Sequence, residues 1–370
     1  MTIRISSLAA AIAAAFLVLQ ASPAGARELT DSIRVTGSNI HVQGIAYDDA
    51  TGCFFCSFTT AFYKIDREGR ILATIDGIHG HLGAMCFDPG TRKVYASLEC
   101  KDDEIGRGVS KALGVKGYTR EETRFYIAEI DVDAMTMQTH EVAEVRKDYL
   151  SGDYGCGGMD GVAIAPAFGK APQERGEEDG KYLYLAYGVY GDTTRTDNNH
   201  NILLRYSLDD LSTPDRKYFI PTGNTTYGVQ NLMYDSYTDR LYMLVYRGRK
   251  RQYPNYGIFA LDMEQDPVSL PSLPGVPYHK GGCLYLNSFL GWYPSVGSTG
   301  ICSLGDGRYY VGISGKQDGK QFCDFKIYRY AAHGDCPFVR GGDPDVSWRA
   351  VPARFKKARN GRVKLLKVSK

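Results

Sequence analysis

Residues 79–99, HGHLGAMCFDPGTRKVYASLE, decide how the chain folds. Two His lead into an apolar run opening on Gly83, a DPGTRK turn follows, and a second run of β-branched and aromatic residues ends at Glu99. That order reads as strand, hairpin, strand. It recurs as GIAYDDATGCFFCSF from Gly44, as GVAIAPAFGK and KYLYLAYG from Gly161, as GVQNLMYDSYTDRLYMLVY from Gly228, and as GICSLGDGRYYVGIS from Gly300. Five copies of one β unit are expected.

Outward from these units, the first repeat divides into GIAYDD, CFFCSF, AFYKIDREG and RILATIDG, four strands joined by short turns. Serial four-stranded meanders are the blades of a β-propeller, because each twisted sheet buries its faces only against its neighbours and ring closure protects the edges. The 27 Tyr, 15 Phe and 42 Gly sit in short alternating runs ended by turn residues, and no apolar stripe at helical spacing exceeds two turns. The fold class is therefore all-β, a five-bladed β-propeller. A six-bladed alternative would need a blade within residues 280–298, whose Trp292-Tyr293-Pro294 reads instead as a lid. The fourth blade shows only a weak last strand near residues 267–272 and the fifth shows none; the N-terminal DSIRVTGS is expected to close the ring by filling that position.

GIAYDDATG followed by FYKIDREGRILATIDG resembles the repeats of bacterial extracytoplasmic propellers of the NHL, SMP-30 (gluconolactonase) and phytase-like groups. The resemblance is closest in the first two repeats and implies a fold that hosts hydrolases, lyases and inert scaffolds alike. The metal-ligand pattern of the SMP-30 lactonases is not recognisable in this chain, so the resemblance does not carry lactonase chemistry with it.

At the N-terminus Arg4 precedes an apolar run over residues 8–19 and then Ala24-Gly25-Ala26, the order of a secretory signal peptide. Residues 1–26 are expected to be removed after Ala26, giving a secreted or periplasmic chain with a propeller at 27–350 and a basic tail at 351–370. No other run reaches the length of a membrane span. Lys+Arg at 44 against Asp+Glu at 42 gives no reason to expect nucleic acid as a partner. Of the nine Cys, Cys53 and Cys56 point to opposite faces of one strand and lie ~10 Å apart. Cys86, Cys283 and Cys302 read as core residues, and Cys100, Cys156, Cys323 and Cys336 as the better disulfide candidates.

Propeller topology places the start of each inner strand and the loop after each second strand on one face. Long insertions fall in that loop at residues 100–123, 189–201, 248–255 and 315–324, which makes this mouth of the channel the expected site. The inner strands deliver Gln43, His79, His81, Asp160, Gln230, Asn231 and Thr299 to it. His81 and Asp160, aided by Glu99, suit general acid/base work. His81 and Asp160 also suit a divalent metal, Ca²⁺ ahead of Zn²⁺ if oxygen donors dominate. Arg247 and Arg249 offer a cationic rim for carboxylate, sulfate or phosphate, with Tyr190 and Trp292 available to stack on a ring. The expected function is binding of a small polar, anionic ligand such as a sugar acid or phosphoester, with hydrolysis or elimination following. The alternative is a non-catalytic scaffold docking a protein or glycan at the cell envelope.

Overall fold

The apolar runs bounded by turn residues form strands almost throughout the computed structural model. It describes residues 29–37, 40–137, 146–148, 157–176, 180–190, 193–223, 226–270 and 283–341, with two-residue strands at 356–357 and 363–364. The signal-peptide segment, Cys156 and most of the basic tail lie outside the described residues. Strand β1 (Ile33–Thr36) comes first, and blade one follows as β2 (Val42–Asp48), β3 (Cys53–Phe58), β4 (Ala61–Ile65) and β5 (Ile71–Ile75). Blade two is β6 (His81–Asp88), β7 (Lys93–Cys100), helix α1 (Glu104–Leu113), β8 (Arg124–Asp131) and β9 (Arg146–Asp148). Blade three is β10 (Gly158–Ala165), β11 (Tyr182–Gly188), β12 (Asn201–Ser207) and β13 (Arg216–Ile220). Blade four begins with β14 (Val229–Asp235), β15 (Arg240–Val245) and β16 (Ile258–Asp262).

Three expectations change at this point in the chain. The Val268–Leu270 strand (β17) is not the last strand of blade four; it pairs with β18 (Cys283–Tyr285), which joins β13 in parallel and extends blade three to six strands. The last position of blade four belongs to β19 (Leu290–Trp292), paired with β16. Trp292 therefore packs among Tyr242, Ile258 and Ile301 in an inter-blade core, and its segment is a strand rather than a lid. Blade five is β20 (Ile301–Ser303), β21 (Arg308–Gln317) and β22 (Lys320–Tyr330), with β23 (Phe338–Arg340). Residues 315–324, expected to form a loop, are instead the tip of a long hairpin paired from Arg308–Arg329 to Gln317–Lys320. The missing outer strand is supplied twice over: β1 pairs along Phe322–Phe325 and β23 along Tyr328–Tyr330. The ring is closed by the N-terminal strand, as its sequence suggests.

The repeated glycine and aspartate have separate jobs. Register shifts interrupt the first four inner strands between Val42 and Gly44, Leu82 and Met85, Met159 and Val162, and Val229 and Asn231. At these bulges neighbouring inner strands come close: a Cβ on Gly44 would lie 3.0 Å from the Ala84 Cα, and one on Gly300 would lie 2.8 Å from the Ile45 nitrogen. The inner strands enclose a narrow channel of about 130 Å³ lined by residues 45–47, 85–87, 163–164, 232–234 and 301–303. At its far end the D-x-x-T turns cap themselves, Thr51 donating to Asp48, Thr91 to Asp88 and Thr238 to Asp235. Each of these buried carboxylates also meets the following blade, through Arg92, Lys181, and Ser303 with Tyr309 respectively.

Cys53, Cys56, Cys86, Cys302, Cys323 and Cys336 are free thiols, and the Cys100 thiol donates to the His79 carbonyl at 3.5 Å. Cys100, Cys323 and Cys336 are buried in the blades, which removes the reason for pairing them across loops. The one helix over eight residues among those described, α1, was not expected. Gly106 and Gly108 weaken its helical signal, but Asp103 accepts from the Gly106 nitrogen at its start and Gly114 ends it in the left-handed conformation at φ 68°.

Candidate functional site

Antiparallel pairing of β6 with β7 sets His81 opposite Glu99, and β10 of the next blade brings Asp160 beside them. One donor atom from each of the three falls within 4.8 Å of the others, and all three side chains are buried. Glu99 is fully occupied. Its Oε1 accepts from the Met159 backbone nitrogen at 2.6 Å, while Oε2 accepts from His81 Nδ1 at 3.3 Å and faces the Lys101 ammonium at 2.8 Å. Lys101 also reaches Asp103 at 3.1 Å, so the start of α1 is tied into the cluster. Asp160 accepts from Gln230 Nε2 at 3.1 Å, and the same amide donates to the Tyr227 carbonyl at 2.8 Å.

These contacts separate the two carboxylates chemically. Burial raises the Glu99 carboxyl, but Lys101 and then His81 outweigh it and hold Glu99 down at about 2. For Asp160, burial first and the Glu99 charge second outweigh the His81 and Lys101 charges and push it up to about 7. Burial lowers His81, yet its bond to Glu99 and the charges of Glu99 and Asp160 leave it raised. Lys101 is held charged by Glu99 and Asp103 against the cost of burial.

The remaining expected residues divide between this mouth and the framework. Gln43 Nε2 donates to Thr59 Oγ1 at 3.3 Å, and Asn231 Nδ2 donates to the Ser298 carbonyl at 2.8 Å and the Gln43 carbonyl at 3.4 Å. The buried Asn231 amide thus staples three inner-strand starts together. Thr299 sits half-buried in the turn before Gly300. His79 holds α1 in place, with Nε2 2.9 Å from Ser110 Oγ and its ring stacked 4.2 Å from Tyr118. Tyr190 lies across Gly158, Gly188 and Gly228, where a Cβ at any of the three would strike its ring or hydroxyl. Arg247 and Arg249 are exposed, Arg247 over Tyr293 at 5.5 Å and Arg249 over Tyr227 at 5.8 Å. Of the insertion at residues 189–201, Arg195 pairs with buried Asp197, and Asn198 and Asn199 accept from Lys250 of the next insertion, so those groups lock the loops together.

Lys101 and Tyr246 were missed by sequence reasoning. Both fall just beyond the end of a second strand, past the position that supplies Glu99, and no motif or repeat position marks them. Tyr246 stands near enough to Asp160 for that charge to add to burial in raising its phenol. It also meets Tyr227 edge-on at 6.3 Å. On the other side of His81 opens a cavity of about 370 Å³, with Gln43, Thr59 and His81 on one wall and α1 on the other.

The molecule defined by these features is a five-bladed propeller with a polar, acid/base-capable cluster at one channel mouth. No family model matches the chain, and no curated protein matches it. Among solved structures, it is similar to a gluconolactonase from Xanthomonas campestris at 10% identity, covering 81% of this chain and 90% of that one with a TM-score of 0.38. A GH43_1 enzyme from Xanthomonas citri complexed with xylose gives 12% identity, 86% and 97% coverage and a TM-score of 0.43. The Dos1 propeller gives 9% identity, 86% and 88% coverage and a TM-score of 0.36. At such identities no activity or residue role passes from these proteins to this one. Among the described residues no helix is long and apolar enough to cross a membrane.

Proposed function

We propose that the channel mouth binds a small polar anion, a sugar acid or a phosphoester, and that His81 and Asp160 exchange a proton with it in a hydrolysis or elimination. The observation that carries this reading is the His81–Glu99–Lys101 chain, buried at His81 and Glu99 and part-buried at Lys101, laid beside Asp160. It joins a locked carboxylate, two cationic donors and a second carboxyl free to change protonation, at the place where a ligand can enter. Glu99 is the positioning residue. Arg247 and Arg249 on the exposed rim favour anions over cations at the entrance. The N-terminal sequence supports action outside the cytoplasm, and cleavage after Ala26 would leave β1 intact.

Two other readings have a specific support. The three convergent donors favour a divalent cation, which would rest on His81, Glu99 and Asp160 and polarise a bound oxygen. Lys101 already occupies the same Glu99 oxygen, and the mixed nitrogen and carboxylate set suits Zn²⁺ or Mn²⁺ better than the Ca²⁺ expected from the sequence. The exposed Tyr227, Tyr246 and Tyr293 favour docking of an envelope protein or glycan on the same face.

Calorimetric titration with gluconate, glucuronate and glycerol phosphate, alongside metal analysis, separates the three. The anion reading expects binding by at least one acid and loss of tenfold or more in His81→Ala and Asp160→Asn. Unchanged binding in both variants would overturn it. A stoichiometric metal lost in the same variants would replace it with the metal reading.

A further inference from the structure

Helix α1 turns an apolar face toward the cavity beside His81. Ile105, Gly108, Val109 and Ala112 are spaced at i, i+3, i+4 and i+7 and all line it, with Ile40 also contributing. Val109 is buried on this face, while Ile105 beside it remains 49% exposed, so its outer part is left uncovered. The cavity floor is different in kind. Gln43, Thr59 and His81 present polar groups there, and His81 leads straight into the cluster with Glu99 and Asp160. At about 370 Å³ the space is more than twice the ~150 Å³ of an apolar cavity that holds a benzene ring. A purely polar sugar acid would leave Ile105 and the space over Gly108 wet and uncovered, and a purely apolar molecule would take nothing from the polar floor at Gln43, Thr59 and His81.

We propose that the ligand is an amphiphile, an anionic head seated at His81 with an unbranched alkyl or acyl tail of about six to eight carbons lying against the α1 face. The inference rests on the reading of the mouth as an anion site and adds the second half of the ligand. Gly108 gives it an independent handle. A Cβ built at Gly108 meets nothing within 4 Å, although the residue sits inside a helix where glycine is a poor choice. The open space above it is the space assigned to the tail.

Titration calorimetry of the full chain with acetate, butyrate, hexanoate and octanoate tests the assignment. Affinity is expected to rise about threefold to fourfold for each methylene added, the value of moving it from water into an apolar site. Gly108→Leu should fold with an unchanged or raised melting temperature, since leucine favours the helix, and should abolish the chain-length increment by filling the tail's place. Ile105→Asp, at a half-exposed position, should abolish it by putting a charge on the same wall. Equal affinity for all four acids, or an increment that survives in both variants, overturns the proposal. If gluconate binds and Asp160→Asn weakens it while the series stays flat, the anion site stands without the tail. If the series rises and His81→Ala changes nothing, the tail site stands and the head was misplaced.

Discussion

At the scale of single residues, Asp160 and Glu99 show how one mouth holds two carboxylates in different states. Asp160, raised to about 7 from an ordinary 3.8, is stabilised in its protonated form. Because the folded value is the higher one, this contribution is complete below about pH 4 and is lost as pH rises through about 7. Raised His81 acts with the same sign but only above its ordinary 6.5, so thermal stability should decline from about pH 4 upward through neutrality. Asp160→Asn, neutral at every pH and able to keep the Gln230 bond, should flatten most of the decline in scanning calorimetry. A variant with the wild-type slope would assign the titration to another group. Glu99, held near 2, works in the opposite direction and at lower pH: its contribution is present above about 4.5 and fades on acidification. Glu99→Gln keeps an acceptor for the Met159 nitrogen but leaves part-buried Lys101 and buried His81 without their counter-charge. A loss of about 3–5 kcal/mol is expected in urea denaturation at neutral pH. A loss below about 1 kcal/mol would show that Lys101 finds sufficient compensation in Asp103 alone.

At the scale of elements, α1 is the piece on which the site depends most and the fold least. Its start is fixed by Asp103, whose carboxylate accepts from the Gly106 nitrogen at 2.8 Å. Asp103→Ala is expected to cost about 1 kcal/mol of local stability, read as faster hydrogen exchange over residues 104–113 with the protection of β6 and β7 unchanged. Equal loss of protection in the strands would show that the helix and blade two unfold together. The same helix shows why part of the site was not legible in sequence. Its apolar residues at 105, 109 and 112 follow the helical period, but two glycines within ten residues make the run look like loop. The blades were legible because the Gly bulges and D-x-x-T turns repeat, each repeat solving the same packing problem against the next sheet. Trp292 misled for the opposite reason: three residues of strand carry no period, and only pairing with Ile258 makes Leu290–Trp292 a blade edge. His81, Glu99 and Asp160 could be chosen from topology. Lys101 could not, since its partner is set by a side chain curling back across the strand end.

At the scale of the whole molecule, a ring of sheets is only as closed as its last seam, and here the seam is β1. Ile33 and Val35 are buried at 3% and 1% exposure, and Arg34 meets Asp324 through two bonds of 2.6 and 2.8 Å. Backbone bonds from the Ser32 nitrogen to the Phe325 carbonyl and from the Gly37 nitrogen to the Gln321 carbonyl bracket the pairing. The apolar residues dominate, because burial of two β-branched side chains is worth about 3–6 kcal/mol, whereas an ion pair with a solvent-exposed arginine is screened by water and adds little. A chain lacking residues 1–37 is therefore expected to lose several kcal/mol and to expose the outer edge of β22 along residues 322–325, an edge β23 does not reach. Uncovered edges recruit other chains, so the shortened protein should also associate as concentration rises. Supplying a synthetic peptide of residues 29–41 in trans should restore both the melting temperature and the monomeric state, since the seam is non-covalent and its pairing is local. Arg34→Ala should retain most of the stability and Val35→Asp should lose nearly as much as the deletion. A shortened chain that melts with the full-length protein would mean that the ring is held by blade-to-blade packing alone and that β1 only covers an edge.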